Sequence, residues 1–252
     1  MTSEVRTSVE NGAALLTVSN PARRNAMNLD LSAKLVAAID AVTADTRVGA
    51  VVITGDPPAF CAGGDLSELE GADLPRLHDV YAGFLAVANC TLPTIAAVNG
   101  AAVGAGLNLA LACDLRLAGP GARFDARFMQ LGLHPGGGYT WMVQRALGLQ
   151  GAKALTLFSE VLDAADAERA GLVWRRYDND EDLVRAAKHM AERAASAPRP
   201  LVETTKATMR VTAGAMSHTE ATEIEVTSQA ASVRSEEFRA RVRALRARIS
   251  TS

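Results

Sequence analysis

From Val80 to Cys113 the sequence carries no Asp, Glu, Lys or Arg. So long an uncharged run has two physical solutions: it crosses a membrane, or the rest of the protein encloses it. Asn89, Pro93, Asn99, Asn108 and several glycines interrupt it too often for a lipid-exposed helix, so it reads as core. Within it, Thr94–Val98 (TIAAV) has strand composition, and glycines follow at positions 100, 104 and 106. The alanine- and leucine-rich residues after them have the composition of a buried helix. Strand, tight loop and helix are therefore expected across Asn99–Asp114 (NGAAVGAGLNLALACD). Glycine there admits a ligand close to the backbone, and the free N–H groups of the first helical turn favour negative charge. Two uses fit: stabilising an oxygen that becomes negative during a reaction, or simply packing helix against strand. The dinucleotide fingerprint is absent, because Leu109 stands where its third glycine belongs.

A chain of 252 residues can bury a large core. Its net charge of −2 supplies no basic field for nucleic acid or an anionic membrane, so a small molecule or a second copy of the chain is the expected partner. Cys61, Cys90 and Cys113 are odd in number and show no C-x-x-C spacing. Reduced thiols in a cytosolic protein are expected, with neither a disulfide nor a metal site. The opening MTSEVRTSVENG has no apolar segment of the signal-peptide kind.

In chain order, Asn11-Gly12 between Glu4–Val9 and Ala13–Ser19 predicts a tight hairpin. A turn over Pro21–Asn25 precedes a helix with Leu31, Leu35, Val36, Ile39 and Val42 on one face, capped by Asn28 or Asp30. Ala50–Thr54 reads as a buried strand, Ala59–Leu66 as a loop, and a helix is expected from about Asp79 to Asn89. Leu115–Leu117 reads as a strand and Phe124–Phe128 as a loop. Helices are expected over Tyr139–Ala146, Gly151–Ser159, Ala164–Ala170 and Asp180–Ala195, with a last strand at Val173-Trp174. The β-α recurrence favours parallel sheet with right-handed crossovers. Ser196–Pro200 is the clearest boundary, and beyond it the pattern is helical to Ile249, with Arg234 to Arg248 on a solvated face.

Two stretches resemble the paired signatures of the crotonase superfamily, the enoyl-CoA hydratase/isomerase family: Phe60–Leu66 (FCAGGDL) and Asn99–Gly106 (NGAAVGAG). Arg23–Asn28 (RRNAMN) and Ala167–Val173 (AERAGLV) resemble its N-terminal and later signatures. The resemblance implies an α/β fold, a spiral of β-β-α units with a C-terminal helical region. Residues 1–197 would form the core with an acyl-CoA site, and 198–252 a helical region for pocket closure and association into trimers or dimers of trimers. It further implies an acyl-CoA thioester as substrate, coenzyme A being part of that substrate and no separate cofactor being needed. By position, the resemblance makes the Ala62 and Ala105 N–H groups the donors to the thioester oxygen. It places Arg24, Cys61, Gly63, Asp65, Leu66, Gly104, Phe128, Tyr139, Trp141 and Lys206 along the bound molecule. Read as residues, Asp65 is equally a helix cap and Cys61 a core side chain.

The chain departs from the family at two points. Where hydratases carry the two glutamates that hold and deprotonate water, this sequence has Asn108 and Phe128. Asparagine hydrogen-bonds without exchanging a proton near neutral pH, and phenylalanine does neither. Three readings follow: an enzyme using another acid or base on a thioester enolate, a non-catalytic acyl-CoA binding protein of lipid metabolism, or a hydratase with a relocated water. For the first, His134 in the loop GLHPGGG is the expected acid-base group, with Asp125 as the alternative.

Overall fold

A computed structural model describes residues 3–249, the Arg248 side chain excepted. The chain divides into two units, one ending at Ala195 and the other beginning at Ser196.

In the first unit, β1 (Glu4–Glu10) and β2 (Ala13–Ser19) form the expected hairpin, with Asn11 and Gly12 at φ 50° and 80°. A short 3-10 turn over Pro21–Arg23 leads to α1 (Leu29–Ala44), whose cap is Asn28: its side chain accepts the Leu31 N–H at 2.8 Å. β3 (Ala50–Gly55) follows. The expected loop after it contains a strand, β4 (Ala59–Cys61), before a single turn, α2 (Leu66–Leu69). Helix α3 (Leu74–Asn89) starts earlier than the sequence suggested, because Asp73 caps it by accepting the Arg76 N–H at 3.0 Å. β5 (Thr94–Val98) is as expected, but the glycine-rich loop after it holds a further strand, β6 (Ala101–Val103), before α4 (Ala105–Ala112).

β7 (Leu115–Ala118) precedes β8 (Arg123–Asp125), which occupies the start of the expected 124–128 loop. The two helices foreseen between Tyr139 and Ser159 run together as α5 (Tyr139–Leu157), broken at Gly148 where φ is 66° and ψ 176°. β9 (Val161–Asp163), α6 (Ala164–Arg169) and β10 (Arg175–Arg176) follow, so the last strand lies just after Val173-Trp174. Strands as short as β4, β6, β8 and β9 leave too few residues for period-2 alternation to show, and their partners supply the pattern instead. Helix α7 (Asp180–Ala195) ends the unit with the expected bounds.

The strands form two sheets, in the orders β1-β2-β3-β5-β7-β10 and β4-β6-β8-β9. Pairing is parallel except for β1 with β2 and β8 with β9. Alternation puts the two faces of the larger sheet in different cores. Ala14, Leu16, Val18, Val51, Ile53, Ala96 and Val98 join α1, α3 and α4 in the main core. Ala13, Ala50, Val52, Ile95, Ala97 and Leu117 pack with Leu183, Ala187 and Ala191 of α7. The uncharged run thus becomes the end of α3, then β5, β6 and α4, and among the described residues no helix is long and apolar enough to cross a membrane. Cys61, Cys90 and Cys113 are buried as thiols.

The second unit holds α8 (Arg199–Thr212), α9 (His218–Ser232) and α10 (Glu236–Ile249). Arg234, Arg239, Arg241, Arg243 and Arg246 are exposed, as expected for a solvated face; the Arg248 side chain lies outside the described residues. Leu201, Met209, Val211, Met216, Val226, Phe238 and Leu245 are exposed as well.

Candidate active site

β4 and β6 are parallel neighbours in the smaller sheet, so the segments leaving their C-terminal ends emerge side by side. The carboxyl edge of parallel strands is where α/β folds commonly bind ligands. Asn99 locks this edge. Its Oδ1 accepts the Gly55 N–H at 3.1 Å and its Nδ2 donates to the Gly55 carbonyl at 2.9 Å, fastening the end of β5 to the end of β3.

After β6, Gly104 takes φ 49° and donates its N–H to the Asp125 carbonyl at 2.9 Å. Ala105 is then the first residue of α4, so its N–H has no intrahelical acceptor. Gly106 meets the packing demand foreseen for this turn: a Cβ there would fall 2.0 Å from the Cys61 carbonyl oxygen. Gly104 opens the turn and Gly106 lets α4 lie on β4, the packing use expected of this stretch.

The loop after β4 corrects one sequence expectation. The Ala62 N–H is already engaged, donating to the Arg24 carbonyl at 3.1 Å. Met27 donates to the Gly63 carbonyl at 2.7 Å, and Asp65 donates to the Met27 carbonyl at 2.9 Å. This is a parallel bridge between Met27 and Gly64 in which Met27 makes both bonds. In that geometry the N–H and C=O of Gly64 point away from Met27. No described residue accepts the Gly64 N–H, and a Cβ on Gly64 would lie 3.9 Å from the Ala105 Cβ. The Gly64 and Ala105 N–H groups are therefore neighbours, each without an acceptor among the described residues. Sequence reading missed Gly64 because the partner of each N–H in this loop is chosen by Arg24–Met27, about forty residues away. The usable signal was the glycine directly before the Asp65 cap.

Among the other residues expected along the ligand, Asp65 and Cys61 are engaged within the fold. Asp65 is buried and caps α2, accepting from the Ser67 N–H at 3.0 Å, the Ser67 hydroxyl at 2.6 Å and Arg23 at 3.0 Å. The Ser67 hydroxyl, ahead of its amide and Arg23, holds this carboxyl below the usual range. Cys61 is buried, and desolvation pushes its thiol up to about 11, which removes it as a nucleophile. Leu66 is exposed. Trp141 is exposed too, with the Arg145 guanidinium 3.7 Å above its ring, so it faces outward rather than lining an interior site. Arg24 is exposed with no ion-pair partner among the described residues. Lys206 lies on α8 in the second unit.

One turn beyond Ala105, Asn108 is 2% exposed. Its Nδ2 donates to the Gly136 carbonyl at 3.0 Å, which fixes the amide orientation and leaves Oδ1 buried without a donor. Asp125, paired in register with Val103, is 3% exposed. Its Oδ2 accepts from Arg127, through Nε at 2.9 Å and through Nη2, while Oδ1 is buried without a partner. These two are the orphaned buried side-chain atoms among the described residues, and the main chain of each is hydrogen-bonded to Gly104: Asn108 donates to its carbonyl at 3.0 Å and the Asp125 carbonyl accepts its N–H. Both can accept a donor from a ligand or a water. Phe128 packs on the fully buried Tyr139, ring centroids 4.9 Å apart, and burial raises the Tyr139 hydroxyl above its ordinary value. His134 is exposed, and its Nδ1 lies 2.7 Å from the Pro135 carbonyl of its own loop. That oxygen can only accept, so Nδ1 carries the proton.

A family model described as enoyl-CoA hydratase/isomerase matches residues 8–247. The chain is 54% identical over 247 residues to the Mycobacterium tuberculosis protein named "Probable enoyl-CoA hydratase EchA14", covering 94% of this chain and 95% of that one. It is 38% identical over 201 residues to the Escherichia coli 2,3-dehydroadipyl-CoA hydratase, covering 79% of each. An enoyl-CoA hydratase structure from Polaromonas sp. JS666 superposes with a TM-score of 0.88 at 27% identity, covering 97% of each chain. One from Bacillus anthracis does so with a TM-score of 0.90 at 24% identity, covering 97% of this chain and 96% of that one, a likeness of fold. The two mixed sheets with helices C-terminal to them are the α/β crotonase fold that the signatures implied. With the family model spanning nearly the whole sequence, the chain belongs to the enoyl-CoA hydratase/isomerase family.

Proposed function

We propose that the chain binds an acyl-CoA thioester with its carbonyl oxygen between the N–H groups of Gly64 and Ala105, and acts on it through an enolate. The observation that carries this reading is the pair of neighbouring backbone donors without acceptors, one of them at a helix N-terminus. Preorganised donors of this kind stabilise a developing oxyanion, each worth about 3 to 4 kcal/mol at the transition state. The exposed, unpaired Arg24 is assigned to the phosphates of CoA. Proton transfer at the acyl carbons falls to Asp125. It is an ionisable residue with a buried, unpartnered side-chain oxygen whose own carbonyl is bonded to Gly104, whereas His134 is exposed.

Hydration by a glutamate pair has no support in the side chains, since Asn108 has no proton to exchange and Phe128 is packed on Tyr139. A second reading, enoyl-CoA hydration, is favoured by the name of the 54% identical relative and by the two orphaned acceptors, between which a water could be held. The C-terminal helices, with their exposed apolar side chains, are assigned to association into trimers or dimers of trimers. Three buried thiols suit a cytosolic setting.

Calorimetry with a short enoyl-CoA and with its non-hydrolysable thioether tests the binding step. Saturable binding of both is expected, and no binding of any CoA ester at millimolar ligand would overturn the reading. Crotonyl-CoA then separates the two chemistries. Loss of its enoyl absorbance at roughly 10 per second or faster, a rate ordinary for enzymes, would decide for hydration.

A further inference from the structure

We propose that Asn25 is a positioning residue for the oxyanion site, setting which N–H of the glycine loop is left free. The inference rests on the assignment of Gly64 as a donor. It adds that the choice of Gly64 is made by the turn between β2 and α1.

Asn25 is 1% exposed and lies far from any surface role. Its Oδ1 accepts the Asn20 N–H at 2.9 Å, and its Nδ2 donates to the carbonyls of Asp56 and of Ala59, both at 2.7 Å. The turn is fastened a second time by Asn20, whose Nδ2 donates to the Ala26 carbonyl at 3.1 Å. Arg24 and Asn25 both sit in left-handed backbone, at φ 50° and 61°, a conformation that asparagine tolerates better than most residues. Those two residues rotate the chain so that the Arg24 carbonyl and both backbone groups of Met27 face the glycine loop. There the Ala62 and Asp65 N–H groups donate, the Gly63 carbonyl accepts, and the Gly64 N–H, which faces away from Met27, finds no acceptor among the described residues.

The side chain of Asn25 holds both edges of this ladder. On one edge it is part of the turn that presents Arg24 and Met27. On the other it grips Asp56 and Ala59, the residues that lead through β4 into the loop at Ala62. A slip of one residue between the two edges would offer the Met27 carbonyl to Gly64 instead of Asp65 and occupy the donor. Nothing in the loop's own sequence forbids that slip, because glycine at 63 and 64 adapts to either register. The restraint comes from the one buried amide that touches both segments.

Two variants separate backbone from side chain. Asn25→Gly keeps left-handed freedom and removes the three side-chain bonds. Asn25→Asp keeps the shape and the Asn20 bond but sets a carboxylate against two carbonyls. The probe is a conjugated aryl-acryloyl CoA thioester, whose absorption moves to longer wavelength when donors polarise its carbonyl. With Asn25→Gly, binding is expected within about tenfold of wild type, while the spectral shift falls by half or more. On whichever CoA ester the wild type turns over, kcat is expected to drop about 10- to 100-fold, the scale of a misplaced donor, with KM changing much less. A wild-type spectral shift and kcat in Asn25→Gly would overturn the proposal. Absence of a shift in the wild type itself would instead count against the donor assignment. Amide hydrogen exchange on the ligand-free wild type keeps the test open if both variants misfold. The amides of Met27, Ala62 and Asp65 are expected to be protected and that of Gly64 to exchange fast. A protected Gly64 amide refutes the register described here.

Discussion

The two halves of the candidate site are made of different material. The donor half, Gly64 and Ala105, is backbone held by named contacts: Asn99 fastens the strand ends, Met27 bridges the loop, and Gly106 seats the helix. The acyl half consists of side chains, Asn108, Asp125, Phe128 and Tyr139, and it holds both orphaned acceptors. A site whose electrostatic half resides in the main chain can exchange side chains in its other half without losing the donors. That is how a chain can keep a family's carbonyl recognition while departing from its acid-base residues.

The largest effect should come from the acyl half. Asp125→Asn keeps the size of the side chain and its bond to Arg127 through the remaining oxygen, yet it cannot exchange a proton. Turnover of the preferred CoA ester should fall about 100- to 10,000-fold, the contribution of a positioned acid or base, with binding of the thioether analogue unchanged. Single-turnover kinetics beside calorimetry checks this. Activity within a few-fold of wild type would remove Asp125 from the chemistry.

Breaking the donor half should cost stability and activity together. Gly106→Ala gains about 1 kcal/mol of helix propensity. It also places a Cβ 2.0 Å from the Cys61 carbonyl oxygen and 2.8 Å from its carbon, atoms of a buried strand that cannot rotate aside. The clash dominates. A net loss of about 3 kcal/mol is expected for overpacking of this kind, or about 6 to 12 °C in Tm for a chain of this size. Thermal and urea unfolding measure it, and a variant as stable as wild type would show that α4 is not pressed onto β4.

How much of this was legible in the sequence follows the same division. The Asn11-Gly12 hairpin, the Asn28 cap and helices α1 and α7 carry local signals, and they appear where the residues put them. The four short strands of the smaller sheet carry almost none, since three residues show no period. The free amide expected at Ala62 lies at Gly64 instead, because motif position does not say which amide a distant strap has engaged. The outward face of Trp141 was missed for a related reason: a tryptophan near a glycine loop has the same sequence whether it points in or out.

A smaller effect separates capping from ligand binding at Asp65. Its carboxyl is held low chiefly by the Ser67 hydroxyl, and a depressed carboxylate contributes stability that is fully present above its unfolded value of about 3.9 and is lost as pH falls through the lower folded value. Asp65→Asn should therefore be less stable than wild type near neutral pH, by about 1 kcal/mol for a weakened cap. The difference should shrink as pH is taken below about 4, with affinity for the thioether altered little. Urea midpoints measured from pH 7 downward provide the test. A difference that grows on acidification would contradict the sign.

The smallest effect is expected at His134, and it sharpens the comparison most. The sequence favoured this residue because imidazole titrates near neutral pH without any special environment. That property is of use only if the ring faces the reacting carbons. In the structure the ring is exposed, its Nδ1 proton is directed at the carbonyl of the next residue, and the buried acceptors beside Ala105 belong to Asn108 and Asp125 instead. His134→Ala should therefore leave kcat within a few-fold of wild type and stability within about 0.5 kcal/mol, the usual range for a surface substitution. The informative design runs it beside Asp125→Asn on the same ester across pH. If His134→Ala lowers kcat by a hundredfold and removes a limb of the pH profile while Asp125→Asn stays active, the proton is carried from the exposed loop. The acyl half of the site would then be completed by movement of residues 132–138 rather than by the buried carboxylate.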